Sequence, residues 1–254
     1  MNDPAYFYQL NDKIEFDTIF SDLLKRRFLD LRKTDAAGLR DFCAGTEAIF
    51  CKPAGLCGGE GIQRLITADI DDYDALYDRL IKGGQLLIEE PIRQHPDMNK
   101  LCPDSVNTVR IVTLVTAQGA QMVYALVRMG MGGVCVDNVS SGGMYAPVNE
   151  HGQLYRPAFC DKTGKYYERH PVTGTEIMGF QIPLFDQALE LCRTASRRVE
   201  AHLKYIGWDV AITPDGPVLV EGNNLPGYDM CQNAGHVDEG MLPRFEKLLG
   251  RPIM

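Results

Sequence analysis

The sequence predicts an α+β fold, and the pattern of its apolar residues carries that prediction. Short β-rich runs at 48–53, 85–92 and 105–130 are bounded by Gly, Pro and Asn. Apolar residues recur at helical spacing within 67–84 and 183–207. The order of strand, loop, helix and strand in the first third of the chain is typical of an α+β or an α/β lobe.

The first 45 residues are predicted to be helical. Phe16, Phe20 and Leu24 recur there at helical spacing, among charged residues. A glycine-rich loop, 54–61, follows the first predicted strand, and the helix that comes next ends at a glycine pair that is typical of a C-cap.

The second half of the chain contains two predicted β-hairpins and the clearest helix. One hairpin turns at AQGAQ within 105–130, and the other turns at 214–216. The helix at 183–207 is predicted to end at Gly207, and residues 241–254 form a short closing helix.

Composition excludes several classes of protein. The 254 residues carry a net charge of -8, and a nucleic-acid binder usually shows a basic surplus. No run approaches the roughly 18 apolar residues of a membrane span, and the start of the chain lacks the apolar core of a secretory signal. The 8 Cys show no CxxC pair and no zinc spacing. We therefore expect a cytoplasmic protein with buried, reduced thiols, and five His that are surface or capping residues.

Two carboxylates and an amide lie on the last predicted hairpin. Glu221 and Asn223 alternate on its second strand, so both side chains emerge on one face. The short turn can bring Asp209 of the first strand opposite them. Carboxylate and amide oxygens are the ligands that Mg²⁺ prefers, with waters and phosphates completing its shell. The pattern predicts a metal site at Asp209, Glu221 and Asn223, and the alternative is a solvated polar face of a hairpin.

This hairpin resembles the metal-binding signature of the ATP-grasp superfamily. Asp209 and Glu221 are separated by eleven residues, and Asn223 and a Pro-Gly pair follow closely. Upstream, FCKP…GGEG (50–61) is similar to the lysine strand and the phosphate-covering loop of those enzymes, and LLIEEPI (86–92) to their adenine-side hinge.

Within the superfamily, the chain is most similar to the sugar-transfer-associated ATP-grasp proteins. The motifs that carry this similarity are SVNTVR (105–110), VDNVSSGG (136–143) and GWDVAIT…GPVLVEGN (207–223). The ribosomal-protein glutamate ligases are also similar. The resemblance covers roughly residues 10–235 and implies an ATP-grasp fold in which two lobes grip ATP.

The implied domains are a helical segment at 1–45, a small lobe at 46–95 and a large lobe with the metal site at 96–254. Many relatives carry a full α/β domain before the two lobes. Because only residues 1–45 precede the small lobe, we expect that domain to be lacking.

The small lobe carries the predicted nucleotide contacts. Lys52 ends a strand and can direct its ammonium at a phosphate, although a surface lysine is the alternative. Glycines let backbone N–H groups approach phosphate oxygens, and a simple flexible turn is the alternative for this loop. The predicted cofactor-binding residues of this lobe are Lys13, Lys52, Gly58, Gly59, Gly61, Glu89 and Glu90. Lys13 rests on the resemblance alone. One of the two Glu contacts the nucleoside, or both form a solvated strand end.

The large lobe carries the predicted catalytic residues Arg110, Arg128 and Asn223. Arg110 lies in an apolar strand, where a guanidinium needs an anionic partner. A phosphate or an acyl phosphate would be one such partner, and a structural salt bridge is the alternative. Arg128 follows the same reasoning. Asn138 precedes a glycine pair and faces the nucleotide, the substrate or a second metal, or else lies in a polar turn.

The resemblance implies a Mg-ATP-dependent carboxylate–amine ligase that acts through an acyl phosphate. Its substrate would be an amino acid or a sugar acid in polysaccharide or natural-product biosynthesis. Two Mg²⁺ ions are expected, with Mn²⁺ as a substitute. The alternative is a kinase for a sugar or polyol, and a third hypothesis is a non-catalytic nucleotide-binding module. The expected partners are small molecules, without nucleic acid or a membrane span, and a homodimer is left open.

Overall fold

A computed structural model of the chain describes residues 1–55, 60–132, 142–234 and 240–253. The chain divides into a larger unit, Met1–Phe7 with Arg93–Met254, and a smaller unit, Tyr8–Ile92. Each unit contains an antiparallel sheet together with helices. The predicted α+β class is therefore confirmed.

The smaller unit is built on a four-stranded antiparallel sheet. Its strands are β1 (Phe28–Asp30), β2 (Ala48–Lys52), β3 (Gln63–Ile66) and β4 (Leu87–Glu89). They are arranged in the order β1-β4-β2-β3. Its helices are α1 (Tyr8–Asn11), α2 (Lys13–Ile19), α3 (Ser21–Leu24), α4 (Ala36–Cys43) and α5 (Tyr73–Lys82).

Apolar residues of α4, α5 and the sheet form the core of the smaller unit. Leu39, Leu80 and Ile88 are fully buried in it. The Asp72 side chain accepts a hydrogen bond from the backbone of Ala75 and so caps the first turn of α5. The helix ends at a glycine pair, as the sequence predicts, and Gly84 has the positive φ of +70° that a left-handed C-cap residue adopts.

The helical prediction for the first 45 residues is wrong at Phe28–Asp30. These residues form β1, which pairs antiparallel with β4 in the register Phe28 to Glu89 and Asp30 to Leu87. A strand of three residues is too short to show a period of two in the sequence. Its conformation is fixed by pairing with a strand that lies about 60 residues further along the chain, which local periodicity cannot report.

The larger unit is built on a seven-stranded antiparallel sheet. Its strands are β5 (Val109–Thr116), β6 (Gly119–Met129), β7 (Met144–Val148), β8 (Ala158–Cys160), β9 (Lys165–Tyr167), β10 (Tyr205–Thr213) and β11 (Gly216–Asn223). Their order is β11-β10-β5-β6-β7-β8-β9. Its helices are α6 (Pro96–Asn99), α7 (Phe185–Val199), α8 (Asp229–Ala234) and α9 (Leu242–Leu249). Both predicted hairpins, β5–β6 and β10–β11, are confirmed.

Helix α7 packs on one face of this sheet, below the strands that carry the predicted site. The Trp208 indole donates hydrogen bonds to Thr113 Oγ1 at 3.0 Å and to Ser196 Oγ of α7 at 3.2 Å. Successive side chains of a strand point to opposite faces. Asp209 therefore points away from α7, toward the opposite face of the sheet. On that face, α9 packs against the start of β10 through the contact of Phe245 with Tyr205.

The predicted role of Gly207 is wrong. The helix α7 ends at Val199, and Gly207 lies inside β10, opposite Val112 of β5. A Cβ atom at Gly207 would lie 2.7 Å from Cβ of Pro226, closer than real Cβ contacts allow. The glycine is thus explained by the close approach of the chain after β11, and not by the end of a helix.

The N-terminal segment fastens the open end of the β10–β11 hairpin. The Asn2 side chain accepts hydrogen bonds from the backbone N–H groups of Lys204 and Tyr205, both at 2.8 Å. It also donates to the carbonyl oxygens of Tyr205 at 2.6 Å and Asn224 at 2.9 Å. One side chain therefore joins the start of β10 to the residue that follows β11.

The six described cysteines are all buried, as expected. Among the histidines, His95 caps the start of α6. His170 is 1% exposed, so it is not a surface residue, and its Nδ1 accepts hydrogen bonds from the backbone N–H groups of Val172 and Thr173, both at 3.3 Å. It is therefore a buried capping residue. No helix in the described part of the chain is long and apolar enough to cross a membrane.

Candidate functional site

Four charged side chains form a row across the strands β11, β10, β5 and β6, and we call them the large-unit cluster: Glu221, Asp209, Arg110 and Arg128. Glu221 pairs directly with Asp209, and Asp209 pairs directly with Arg110. Arg128 lies two residues beyond Leu126, the residue opposite Arg110. Residues that are opposite or alternate share one face of a sheet. The register alone therefore brings the four side chains together.

Asp209 is the centre of the large-unit cluster. Its side chain is fully buried, and Arg110 binds it with two parallel hydrogen bonds, Nε to Oδ1 and Nη2 to Oδ2, both 2.7 Å long. Arg128 approaches Oδ2 from the next strand, with Nη1 at 3.1 Å. Two-pronged bonds of this kind fix the guanidinium plane as well as its position.

The two acids of this cluster have pKa values that move in opposite directions. Burial alone would raise the pKa of Asp209, but the charges of Arg110 and Arg128 lower it well below its usual range. Burial and the charge of Asp209 raise the pKa of Glu221. One acid of the pair is thus held ionised, while the other keeps its proton to higher pH than an ordinary Glu.

Glu221 and Asn223 form the accessible edge of the cluster. The Glu221 side chain is 37% exposed, and Arg110 Nη2 lies 3.9 Å from its Oε1. The Asn223 amide nitrogen donates to the Gly207 carbonyl oxygen at 3.3 Å, which leaves the amide oxygen as the end that can face a cation. The sequence predicts that Asp209, Glu221 and Asn223 lie close together on one hairpin, and the strand register places them so.

These three side chains fit Mg²⁺ by their chemistry, since two carboxylates and an amide oxygen are hard ligands. Asp209 already makes three contacts with guanidinium groups, and a carboxylate offers about four lone-pair positions. A cation bound by these three side chains would share Asp209 with the arginines and would be coordinated mainly by Glu221 and Asn223. Among the described residues, no group of three or more His, Cys, Asp and Glu side chains is arranged to hold a metal.

The anionic partner that the sequence requires for Arg110 and Arg128 is Asp209. Both arginines are less than 10% exposed, so an ion pair is needed to offset the loss of hydration. Of the two alternatives that the sequence leaves open, the structural salt bridge is present. An additional anion would have to share these guanidinium groups with Asp209.

The smaller unit holds a second group of buried charges, which we call the small-unit cluster: Asp17, Arg26, Lys52 and Glu89. Glu89 is 2% exposed at the end of β4. Arg26 donates to its Oε1 through Nε at 2.8 Å, and the Lys52 ammonium contacts its Oε2. Arg26 Nη2 lies 3.8 Å from Oδ1 of Asp17, which is on α2.

Lys52 therefore points inward, as its place at the end of β2 predicts, and 16% of its side chain is exposed. Its partner in the structure is a carboxylate. Glu90, the next residue after Glu89, lies on the opposite side of the strand and binds the half-exposed Arg27, with Nε to Oε1 at 2.6 Å. The buried Glu89 and the more accessible Glu90 thus have different surroundings, which the sequence could not separate.

Lys13 begins α2, and its backbone N–H donates to the Ala54 carbonyl oxygen at 2.9 Å. The start of this helix is therefore attached to Ala54, the first residue of the glycine-rich loop. Gly61 has a positive φ of +73°, and its carbonyl oxygen accepts a hydrogen bond from Gln85. The predicted residues Gly58, Gly59 and Asn138 lie outside the described residues.

Two members of the small-unit cluster, Asp17 and Arg26, were missed by the sequence analysis. Asp17 has a recognisable signal, because it lies beside Phe16 among the apolar, buried residues of α2. An Asp in such a place is almost never fully buried without a partner. Arg26 has no such signal. It lies in the short connection between α3 and β1, and only the pairing of β1 with β4 brings it to Glu89.

ATP-grasp ligases are among the solved structures to which this chain is similar in fold. The ligase PsnB in complex with minimal precursor, Mg and ADP is 16% identical with a TM-score of 0.52, covering 96% of this chain and 59% of that one. The L-amino acid ligase from Bacillus licheniformis is 12% identical with a TM-score of 0.51, covering 88% and 44%. The chain thus spans about half the length of these proteins, and the likeness shows an ATP-grasp fold.

The fold is that of the ATP-grasp class of proteins. The family model of the sugar-transfer-associated ATP-grasp proteins matches residues 1–248. The chain belongs to that family, as its motifs indicated. A search among curated proteins found no match.

Proposed function

We propose that this protein is a Mg-ATP-dependent ligase that joins a carboxylate to an amine through an acyl phosphate. The observation that carries the proposal is the large-unit cluster, in which two arginines and two acids face the same side of the sheet beside Asn223. Membership of the ATP-grasp family supports ATP as the nucleotide. The substrate would be an amino acid or a sugar acid used in polysaccharide or natural-product biosynthesis.

Each residue of the cluster has a separate task in this proposal. Arg110 and Arg128 would bind the transferring phosphoryl group and the acyl phosphate, because guanidinium groups match such anions in geometry and charge. Asp209 would hold both guanidinium planes in place beforehand. Glu221 and Asn223, with Asp209, would hold Mg²⁺ or Mn²⁺, and we expect two ions. Bound Mg-ATP would supply the phosphoryl group and cations that neutralise its charge during transfer.

The smaller unit would contribute the nucleotide contacts. Lys52 would bind a phosphate, with Lys13 and the glycines of 54–61 beside it, and Glu89 or Glu90 would lie near the nucleoside. Asn138 would contribute from the large unit. These assignments rest on the family motifs and on the inward position of Lys52.

The test is to assay ADP and free phosphate together while pools of amino acids, sugar acids and amines are offered with Mg-ATP. Equal release of both products that requires a carboxylate and an amine supports the ligase. Release of ADP without phosphate means that the phosphoryl group stays on a hydroxyl acceptor, and a sugar or polyol kinase then replaces the ligase. A protein that binds Mg-ATP tightly without turnover with any acceptor would be a binding module.

The metal assignment is tested separately from activity. Binding of Mn²⁺ is followed through the relaxation of water protons, with and without ADP, in the unmodified protein, in Glu221→Gln and in Asp215→Asn. Asp215 lies in the exposed turn of the same hairpin and serves as a matched control for the loss of one charge. We expect Glu221→Gln to weaken Mn²⁺ binding by about tenfold or more, because even the loss of a group that only supports a metal ligand costs about 10–100-fold in affinity. Equal binding by both variants would remove Glu221 from the metal site.

A further inference from the structure

The small-unit cluster has an unusual balance of charge for a buried site. Two cations, Arg26 and Lys52, contact the carboxylate of Glu89, and their side chains are 5% and 16% exposed. Burial alone would raise the pKa of Glu89, but the charges of Arg26 and Lys52 lower it to about 2. Glu89 therefore carries its negative charge at any physiological pH.

Asp17, the second acid of the cluster, has a different environment. It is 2% exposed, its Oδ2 accepts no hydrogen bond from the described residues, and Arg26 stays 3.8 Å from its other oxygen. An ionised carboxylate without close partners is costly in the interior. Burial and the charge of Glu89 raise the pKa of Asp17 to about 8, although Arg26 and Lys52 act in the opposite direction. This carboxyl group therefore keeps its proton to a higher pH than an ordinary aspartate.

While Asp17 keeps its proton, the cluster carries the two positive charges of Arg26 and Lys52 and the one negative charge of Glu89, for a net charge of +1. A buried excess of one positive charge is stabilised by an anion, and Lys52 is the member that reaches the surface of the unit. Glu89 contacts the Lys52 ammonium directly and thus restricts a side chain that would otherwise be highly mobile. An anion of phosphate type suits an ammonium that is held as a point charge.

We propose that Asp17, Arg26, Lys52 and Glu89 act as one anion-receiving device for a phosphate of the nucleotide, in which Glu89 positions the Lys52 ammonium and Asp17 controls the net charge. This inference rests on the proposed function, and it adds the two residues that no motif indicated. Loss of the Asp17 proton would make the cluster neutral and draw Arg26 and Lys52 toward two carboxylates. Nucleotide affinity would then fall.

The experiment uses the coupling between protons and nucleotide binding. Binding of Mg-ADP to the full chain is measured by calorimetry at pH values from about 6.5 to 9.5, in buffers of different ionisation enthalpy, so that the number of protons taken up is obtained. Three proteins are compared: the unmodified chain, Asp17→Asn and Glu15→Gln. Glu15 is an exposed acid of the same helix α2 and controls for the loss of one charge.

For the unmodified protein and Glu15→Gln, we expect proton uptake on binding near pH 8. Their affinity for Mg-ADP should fall by about tenfold toward pH 9.5, because the ionised Asp17 carboxylate then repels the phosphate. Asp17→Asn should show no such uptake and keep its affinity to within about twofold over the same range. Protons released by ADP itself are common to all three proteins and cancel in the comparison.

Each outcome has a separate meaning. If the unmodified protein shows the same proton uptake and pH dependence as Asp17→Asn, the inference is overturned while the proposed function stands. If the unmodified protein does not bind Mg-ADP at any pH, the proposed function is overturned, and this inference with it. Should Asp17→Asn not fold, the proton uptake of the unmodified protein decides alone, and its absence near pH 8 overturns the inference.

Discussion

Each of the two units of this protein contains a cluster of two cations and two acids, and the clusters differ in how far their side chains are exposed to solvent. In the large-unit cluster, Asp209 is held between Arg110 and Arg128, and Glu221 is the acid with the raised pKa. In the small-unit cluster, Glu89 is held between Arg26 and Lys52, and Asp17 is the acid with the raised pKa. Each cluster has a buried, ionised carboxylate between two cations and a second acid that tends to keep its proton.

The difference lies in the second acid. Glu221 is 37% exposed and lies beside Asn223, so a cation can reach it from outside. Asp17 is 2% exposed on a helix, and its neighbours are the members of its own cluster. The ionised form of an accessible acid can be stabilised by a cation that binds from solvent. An enclosed acid has no such access and stays neutral by keeping its proton. This difference is the reason that we propose a metal site in the larger unit and a phosphate site in the smaller unit.

Loss of the central carboxylate should have the largest effect in the large-unit cluster. In Asp209→Ala, two buried guanidinium groups lose their partner, and breaking a buried ion pair costs about 3–5 kcal/mol. Urea denaturation followed by circular dichroism measures this loss. Asp215→Ala, in the exposed turn of the same hairpin, should change the free energy of unfolding by less than about 0.5 kcal/mol. An Asp209 variant as stable as this control would mean that the arginines find water or other partners.

The equivalent change in the small-unit cluster should cost less. In Glu89→Gln, the Lys52 side chain can turn toward solvent because part of it is already exposed, and Gln still accepts one hydrogen bond. We expect a loss of about 2 kcal/mol, the range for hydrogen bonds to charged groups.

Glu90→Gln is the matched control for Glu89→Gln on the same strand. It removes a pair with an Arg27 side chain that is 52% exposed, and such surface pairs contribute about 0–1 kcal/mol. A larger loss in Glu90→Gln than in Glu89→Gln would reverse the ranking of the two acids that burial suggests.

The pH dependence of stability separates the second acids. The pKa of Asp17 is about 8 in the folded protein, against 3.8 as its ordinary value. Between these pH values the folded protein holds a proton that the unfolded chain releases, so this contribution to stability is complete below about pH 4 and is lost as the pH rises to 8. The amide group of the Asp17→Asn variant has no proton to lose in this range.

The melting temperature of Asp17→Asn, relative to that of the unmodified protein, should therefore rise steadily from about pH 4 to pH 8. The rise should correspond to at least 1–2 kcal/mol, since one pKa unit corresponds to about 1.4 kcal/mol. Other acids titrate in both proteins and cancel in the difference. A difference in melting temperature that stays constant across this range would show that Asp17 has an ordinary pKa. The small-unit cluster would then have no counterpart of Glu221, the acid with the raised pKa in the large-unit cluster.

Much of the large-unit cluster could be predicted from the sequence. The alternation of Glu221 and Asn223 on a strand, and the short turn that brings Asp209 opposite Glu221, are local properties of one hairpin. Arg110 and Arg128 stood out as charges within apolar strands. Their shared partner was not predictable, because it depends on β10 pairing with β5 across about 100 residues of chain.

The small-unit cluster was only half predicted, for a similar reason. Lys52 and Glu89 end strands that the sequence shows clearly, but they were assigned to a phosphate and to the nucleoside, and not to each other. Arg26 comes from the connection into β1, where tertiary pairing rather than periodicity decides the structure, whereas Asp17 lies on a helix that the spacing of apolar residues predicts. Gly207 shows the same limit, because its close contact with Pro226 arises only once β10 and β11 are paired.

Apart from the control variants, the smallest predicted effect concerns the attachment of the large-unit cluster to the N-terminal segment. Asn2 joins the backbones of Tyr205 and Asn224, at the end of the hairpin where Asn223 and Glu221 lie. Asn2→Ala removes hydrogen bonds that are partly accessible to water, and we expect a loss of about 1 kcal/mol in the free energy of unfolding.

Because this fastening lies next to the proposed metal ligands, Asn2→Ala should also weaken Mn²⁺ binding a few-fold while proton-coupled ADP binding in the smaller unit keeps its pH dependence. Asp3→Asn is the control, since its side chain caps only a short turn at Ala5. If Asn2→Ala and Asp3→Asn bind Mn²⁺ equally, the N-terminal segment stabilises the hairpin without positioning Glu221 and Asn223. The geometry of the large-unit cluster would then be fixed by strand pairing and the Asp209 ion pairs alone.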